Sequence, residues 1–169
     1  MKQIVVSGVT LGLLCAAWTF VMGLTGWYKH PALANLFWMV IVIQITVLVL
    51  GLRKTAREGR GYGAQVLAGT EMSAIAAPVI FAGSMLFTKV AFPRYFEEIR
   101  QVHEQMLRAQ GLPQDKITEA LAEAAKSQTS FNSALSGAIG TILTGLVVSA
   151  VIAIWVRAKP DAAKTGATT

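Results

Sequence analysis

AFPRYFEEIRQVHEQMLRAQGLP, residues 91–113, is the stretch from which the fold can be predicted. An apolar segment ends at Pro93, and a 17-residue amphipathic stretch then runs from Arg94 to Gln110, before a turn at 111–113. A helical pattern follows the turn and continues into a last apolar segment that ends near Val156. The pattern predicts a charged helical hairpin, residues 94–130, between two helices that span a membrane.

The composition of the whole chain is also that of a membrane protein. Of its 169 residues 54% are hydrophobic and 14% are charged, whereas about 25% are charged in an ordinary soluble domain. Four segments approach or exceed the roughly 20 apolar residues that a transmembrane helix needs: 4–27, 33–52, 64–90 and 131–156. We therefore predict an all-α membrane protein with four transmembrane helices over 1–157, an extracytoplasmic hairpin between helices three and four, and a disordered cytoplasmic tail at 158–169.

The first segment has an alternative interpretation as a secretory signal peptide, because Lys2 precedes it and Ala32-Leu33-Ala34 resembles a cleavage site. Its apolar run is about twice the usual length of a signal core, which favours a retained helix. A single cysteine excludes an internal disulfide, and with only two histidines we expect no Cys/His metal site. No catalytic motif occurs, and we expect no cofactor.

Basic residues near the helix ends predict the orientation. Eight cations fall on one side: Lys2, four within 53–60 and three within 157–164. Seven fall on the other, namely Lys29, Lys89 and five in the hairpin. The first group clusters against the membrane ends, so both termini are expected to be cytoplasmic. Basic residues beside spanning helices contact anionic lipid headgroups, which accounts for the net charge of +6. We therefore expect no nucleic-acid partner.

The hairpin is amphipathic in both arms. Its charged face mixes five Lys/Arg with six Asp/Glu and forms the main soluble surface. The absence of Gly and Pro between the second arm and the last segment favours an upright hairpin over an arm lying in the headgroup layer. Apolar residues at helical spacing predict the faces through which the arms make contacts: Tyr95, Phe96, Ile99, Val102, Met106, Ile117 and Leu121.

Small residues recur along two of the apolar segments, and such residues let helix backbones approach closely. The first segment carries Gly8 and Gly12. The last segment carries one at every fourth position: Ser133, Gly137, Thr141, Gly145 and Ser149. A second row lies beside it: Ser136, Gly140 and Thr144. These rows predict either packing inside one bundle or an interface with another copy or a larger complex, and the pattern does not separate the two.

Glu71 is the one acid that falls within an apolar segment. If the third helix begins near Ala64, Glu71 lies about two turns inside, where an acid faces the bundle interior or water. Gln44 and Thr46 of the second segment are then able to bond to the same polar site. If the helix begins later, Glu71 lies at the interface against the cations of 53–60. Both interpretations stay open.

Several features recur together along the chain. They are a glycine-containing first helix, a basic turn with Gly59, Gly61 and Gly63, a helix that ends in Phe92-Pro93, the charged segment, and a closing helix of the type SGAIGTILTGL at 136–146. In this order the sequence resembles the bacterial domain-of-unknown-function 4199 (DUF4199) membrane family. The resemblance implies four spanning helices in a bacterial cytoplasmic (inner) membrane, and it supplies no catalytic residues.

Two classes of function follow from these observations. The first is a non-enzymatic accessory or assembly subunit that uses its hairpin and small-residue faces for contacts with further copies or a larger membrane complex. The alternative is a small oligomeric carrier or channel with Glu71 in a polar pathway. An enzyme is not favoured, because an intramembrane active site needs several polar groups at one depth, and only Glu71 qualifies.

Overall fold

The computed structural model describes residues 1–156, with the side chains of all of these except Pro31 and Ala34. The tail predicted at 158–169 lies outside the described residues, as do the three cations of 157–164. Every regular element of the described chain is helical, and the described residues contain no strand. Its helices are α1 Lys2–Thr25, α2 Pro31–Ala34, α3 Met39–Ala56, α4 Tyr62–Leu86, α5 Tyr95–Ala109, α6 Gln114–Ser127 and α7 Ser130–Val156.

Four of these helices, with the turns that extend them, are long and apolar enough to cross a membrane: Lys2–Thr25, Asn35–Ala56, Tyr62–Ala91 and Ser130–Val156. The prediction of four long apolar helices is therefore confirmed, and the chain has the helices of a multi-pass membrane protein. Their bounds differ from the predicted ones by a few residues, because hydropathy does not register the polar turns at helix ends.

Three glycines in the left-handed region mark helix ends. Gly26 has φ 68° and caps α1, Gly59 has φ 77° after α3, and Gly111 has φ 75° after α5. This conformation is costly for residues with a Cβ and is a common way to stop a helix. The apolar segments are thereby separated into distinct helices.

Helices α1 and α4 run parallel and in close contact. A Cβ on Gly8 would lie 2.6 Å from the carbonyl oxygen of Met72, and one on Gly12 would lie 2.7 Å from Cβ of Val79. Residue numbers rise together along both helices, which fixes the parallel direction. Because lipid and side chains are equally apolar, such close backbone approach is the main source of helix association in a membrane.

Helix α7 runs antiparallel to α4 on another face. A Cβ on Gly69 would lie 2.6 Å from Cβ of Ser149, and one on Gly145 would lie 2.5 Å from Cβ of Ser73. The four long helices therefore form a bundle in which α1 and α4 end where α3 and α7 begin. We call that end the hairpin end, since α5 and α6 are attached there, and the opposite end the terminal end.

The apolar core occupies the terminal end and the middle of the bundle. One cluster of buried side chains combines all four long helices: Ile4, Leu48, Leu52, Ala68, Met72 and Ile152. A second, smaller cluster lies nearer the middle: Leu11, Cys15 and Ala76. Toward the hairpin end α1 and α4 stay in contact, and the core gives way to the cavity described below, which α3 and α7 also line.

Helices α5 and α6 pack against each other and form the hairpin. Val102 and Ile117 are its buried side chains. The expected unbroken run from the second arm into the last helix is wrong, because α6 ends at Ser127 and α7 begins at Ser130. The hydroxyl of Thr129 accepts a hydrogen bond from the backbone N–H of Asn132 at 3.1 Å, so this residue caps a new helix.

Candidate functional site

The hairpin is attached to the bundle through the loop that follows α1. The hydroxyl of Tyr28 donates a hydrogen bond to Oε2 of Glu98, and Nζ of Lys29 donates to Oε1 of the same carboxylate at 2.9 Å. These bonds lower the pKa of Glu98, with the bond from Tyr28 as the largest cause. Burial, followed by the contact with Glu98, raises the pKa of Tyr28. The start of α5 is therefore held by one carboxylate with two donors.

Aromatic rings surround this attachment. The ring centroid of Phe87 lies 4.6 Å from that of Phe92 and 5.1 Å from that of Tyr95, and Tyr95 lies 5.1 Å from Tyr28. Each such pair contributes about 0.5–1.5 kcal/mol beyond its buried area. Burial raises the pKa of Tyr95. We call Tyr28, Lys29, Phe87, Tyr95 and Glu98 the junction.

A cavity of about 350 Å³ lies beside the junction, at the hairpin end of the bundle. Helices α1, α3, α4 and α7 form its walls, and Tyr95 of α5 contributes to one side. Its floor is the point where α3 and α7 meet, since Nε2 of Gln44 donates a hydrogen bond to the carbonyl oxygen of Thr141 at 2.7 Å. Above this bond α3 and α7 separate. Its volume lies within the range of small-molecule pockets.

The cavity lining is mainly apolar with several hydroxyl groups, and among the described residues it includes no Asp, Glu, Lys, Arg or His. The hydroxyls of Thr19, Thr88 and Thr141 donate to carbonyl oxygens four residues earlier in their own helices, at 2.8–3.0 Å. Their oxygen lone pairs remain available as acceptors. Among residues 1–156, the hydroxyls of Ser84 and Thr144, which also line the cavity, make no such intrahelical bond.

The three residues predicted for a polar intramembrane site lie in different places. Gln44 is buried at the floor of the cavity. Thr46 is exposed, and its hydroxyl donates to the carbonyl oxygen of Val42 at 2.8 Å. Glu71 is exposed on the outer face of α4, nine residues after its start at Tyr62, and no cation of the described residues lies within 4 Å of its carboxylate.

The predicted small-residue positions divide between packing faces and the cavity rim. Gly8, Gly12, Thr141, Gly145 and Ser149 are buried between helices. Ser133 and Gly137 are exposed and line the cavity, together with the second row, Ser136, Gly140 and Thr144. A Cβ on Gly140 would meet no atom within 4 Å. The second row thus faces open space at the hairpin end.

The predicted hairpin residues also differ in burial. Val102 and Ile117 are buried, Met106 is exposed, and the remaining four are half-buried: Tyr95, Phe96, Ile99 and Leu121. Sequence reasoning missed the pairing of Lys29 with Glu98, since 69 residues separate them and no local spacing connects them. The only signal was an isolated cation at the end of the first apolar segment.

A comparison with known protein families identifies the chain. The model of a family described as "Protein of unknown function (DUF4199)" matches residues 7–158. The chain belongs to the DUF4199 family. The resemblance drawn from its sequence is confirmed by this match. No curated protein and no solved structure matches the chain.

In this DUF4199 chain, an anchored hairpin lies beside a mainly apolar cavity, and Tyr95 contributes to both. The cavity offers hydrogen-bond donors, acceptors and aromatic surface, which suit the binding of a small molecule. The hairpin offers charges of both signs and an apolar groove of about 220 Å³ between its arms, lined by Met106, Leu107 and Leu121 among others.

Proposed function

We propose that the protein is a non-enzymatic integral membrane protein of the bacterial cytoplasmic membrane, with both termini cytoplasmic. It acts as an accessory or assembly subunit and makes protein contacts through its extracytoplasmic hairpin. The observation that carries this proposal is the attachment of the hairpin, which is fixed at its base by Glu98 while its far part packs mainly on itself. A surface held in place but left open is suited to docking.

The charges of the hairpin favour a second copy of this chain as the partner. Three of its acids already form ion pairs within the described residues, with Lys29, Arg108 and Lys126. Six hairpin charges make no ion pair there, three of each sign: Arg94, Arg100, Lys116, Glu97, Asp115 and Glu119. Equal numbers of both signs on the hairpin suit a two-fold interface, in which bases of one copy meet acids of the other.

Two complementary variants test this assembly. The first reverses the unpaired acids with Glu97→Lys, Asp115→Lys and Glu119→Lys, and the second reverses the bases with Arg94→Glu, Arg100→Glu and Lys116→Glu. We expect the unaltered protein to co-purify with a differently tagged copy of itself in mild detergent. Each variant alone is expected to lose this association through like-charge repulsion, and a mixture of both variants is expected to regain it.

Native mass spectrometry of the same samples measures the number of copies directly. A solely monomeric unaltered protein contradicts the proposal, as does an oligomer that persists in both single variants. Recovery in the mixture also serves as the folding control, because misfolded variants do not regain a specific partner.

A small oligomeric carrier or channel is the second candidate. The observation in its favour is the exposed carboxylate of Glu71 on a spanning helix, where an uncompensated charge is costly in lipid. Because this side chain faces away from the chain's own interior, a polar path that contains it requires several copies. Glu71→Gln in liposomes is expected to abolish proton or cation flux if this function holds, and unchanged flux argues against it.

A further inference from the structure

We propose that the cavity at the hairpin end binds an uncharged lipid alcohol from the bilayer. The hydroxyl head and the adjoining part of the ligand occupy the cavity, and its apolar tail leaves between α3 and α7. This inference concerns a site apart from the hairpin surface and does not depend on self-association.

The cavity is too large to be a simple packing defect, and its mainly apolar lining with a few polar groups is typical of ligand pockets. Protein interiors are close-packed, and voids of about 350 Å³ leave many atoms without contacts. Here α3 and α7 meet at Gln44 and Thr141 and then separate, and the facing residue of α7 at this level is Gly140, which has no side chain to fill the gap. The space is therefore available to a ligand.

The lining selects for a neutral ligand with a hydroxyl group. Among the described residues, no side chain of Asp, Glu, Lys, Arg or His lines the cavity, so a charged head would be buried without a counter-charge. Acceptor oxygens of Thr19 and Thr88 line the cavity together with the hydroxyls of Ser84 and Ser133, which make no intrahelical bond within the described chain. An alcohol both donates and accepts, and it therefore satisfies both kinds of group.

The rim of the cavity fits entry from the bilayer. On the α3 side the rim consists of Phe37 and Trp38, which are 49% and 65% exposed. On the α7 side it consists of Ser133 and Ser136, both exposed. The indole of Trp38 has one polar edge and favours the headgroup level of a membrane, where the head of a lipid alcohol also resides.

A pair of lipids that differ in charge tests the inference. The full-length protein in nanodiscs is mixed with dioctanoylglycerol, which carries a free hydroxyl, or with dioctanoyl phosphatidic acid, in which a phosphate replaces it. We expect native mass spectrometry to detect bound dioctanoylglycerol, and its addition to raise the Tm. The phosphatidic acid is expected to do neither.

Two substitutions locate the site. Gly140→Leu fills the cavity without displacing another helix, since a Cβ there meets no atom within 4 Å, and is expected to abolish binding. Val147→Leu, on the exposed face of the same helix, is the matched control and is expected to bind normally. Ser84→Ala removes one lining hydroxyl with little change in side-chain shape, and is expected to bind about tenfold more weakly.

Three results would overturn the inference. They are equal binding of the two lipids, undiminished binding by Gly140→Leu and Ser84→Ala, and absence of dioctanoylglycerol binding to the unaltered protein. If Gly140→Leu fails to fold, the comparison of Ser84→Ala with Val147→Leu decides the question.

Discussion

At residue 145 the absence of a side chain sets how closely α4 and α7 approach. A Cβ there would lie 2.5 Å from Cβ of Ser73, well inside van der Waals contact. At residue 140, one turn and a half away on the same helix, a Cβ would meet nothing within 4 Å. Two glycines of one helix thus have opposite roles, since one permits contact and the other leaves space.

Gly145→Ala is therefore expected to lower the free energy of unfolding by about 1–3 kcal/mol, the usual cost of overpacking. Gly140→Ala is the matched control and is expected to leave it unchanged or to raise it, because alanine favours the helix. Unfolding in detergent mixtures measures both. Equal stability of the two variants would contradict the packing described here, whereas recovery in the pair Gly145→Ser with Ser73→Gly would support it.

The sequence predicts the rows of small residues in α7 but not their separate roles. Spacing at every fourth position places residues on one face of a helix. Which helix lies against that face, and where that helix diverges, depends on contacts between distant segments. From the sequence, the row of Ser136, Gly140 and Thr144 predicts either packing inside the bundle or an interface with another protein, and in the structure this row lines the cavity.

The attachment of α5 to the bundle depends on one carboxylate. Glu98 accepts hydrogen bonds from Tyr28 and Lys29, and its pKa is lowered as a result. A carboxyl whose pKa is lower in the folded state stabilises that state above its ordinary pKa. This stabilisation is lost as the pH falls through the lowered value. The attachment is thus expected to be complete at neutral pH and to weaken in acid.

Glu98→Gln is expected to loosen the start of α5 at neutral pH, because the charge that strengthens both bonds is removed. For a half-exposed group we expect a cost of about 1 kcal/mol, or roughly a fivefold rise in local opening. Hydrogen exchange of α5 amides measures it. Glu104→Gln, whose partner Arg108 lies on the same helix, is the control and is expected to leave the junction protected. Equal exchange in both variants would argue against the role of Glu98.

Among the elements, the four long helices could be predicted, and the join between α6 and α7 could not. Apolar length alone identifies a spanning segment. The break at Gln128 and Thr129 contains neither Gly nor Pro, and its only signal is a threonine able to cap a helix. Threonines are also common inside helices, and the spacing of apolar residues continues across the break. The sequence therefore predicts one continuous helix there.

For the whole molecule, the distribution of cations predicts that the hairpin and the termini lie on opposite sides of the membrane. Single cysteines test this in a Cys15→Ala background, since Cys15 is the only native cysteine. A maleimide that cannot cross membranes is expected to label Glu119→Cys in intact cells. It is expected to label Arg57→Cys only after the cells are permeabilised. The reverse pattern would show the opposite orientation.

The parallel pairing of α1 with α4 also has a consequence for how the chain is made. As the ribosome releases the helices in order, α1 and α3 enter the bilayer first, and the glycine face of α1 has no neighbour until α4 follows. Helix α4 is also the one on which α7 later packs. Biogenesis is thus expected to have a late commitment step, at which insertion of α4 converts a loose pair of helices into an assembled protein.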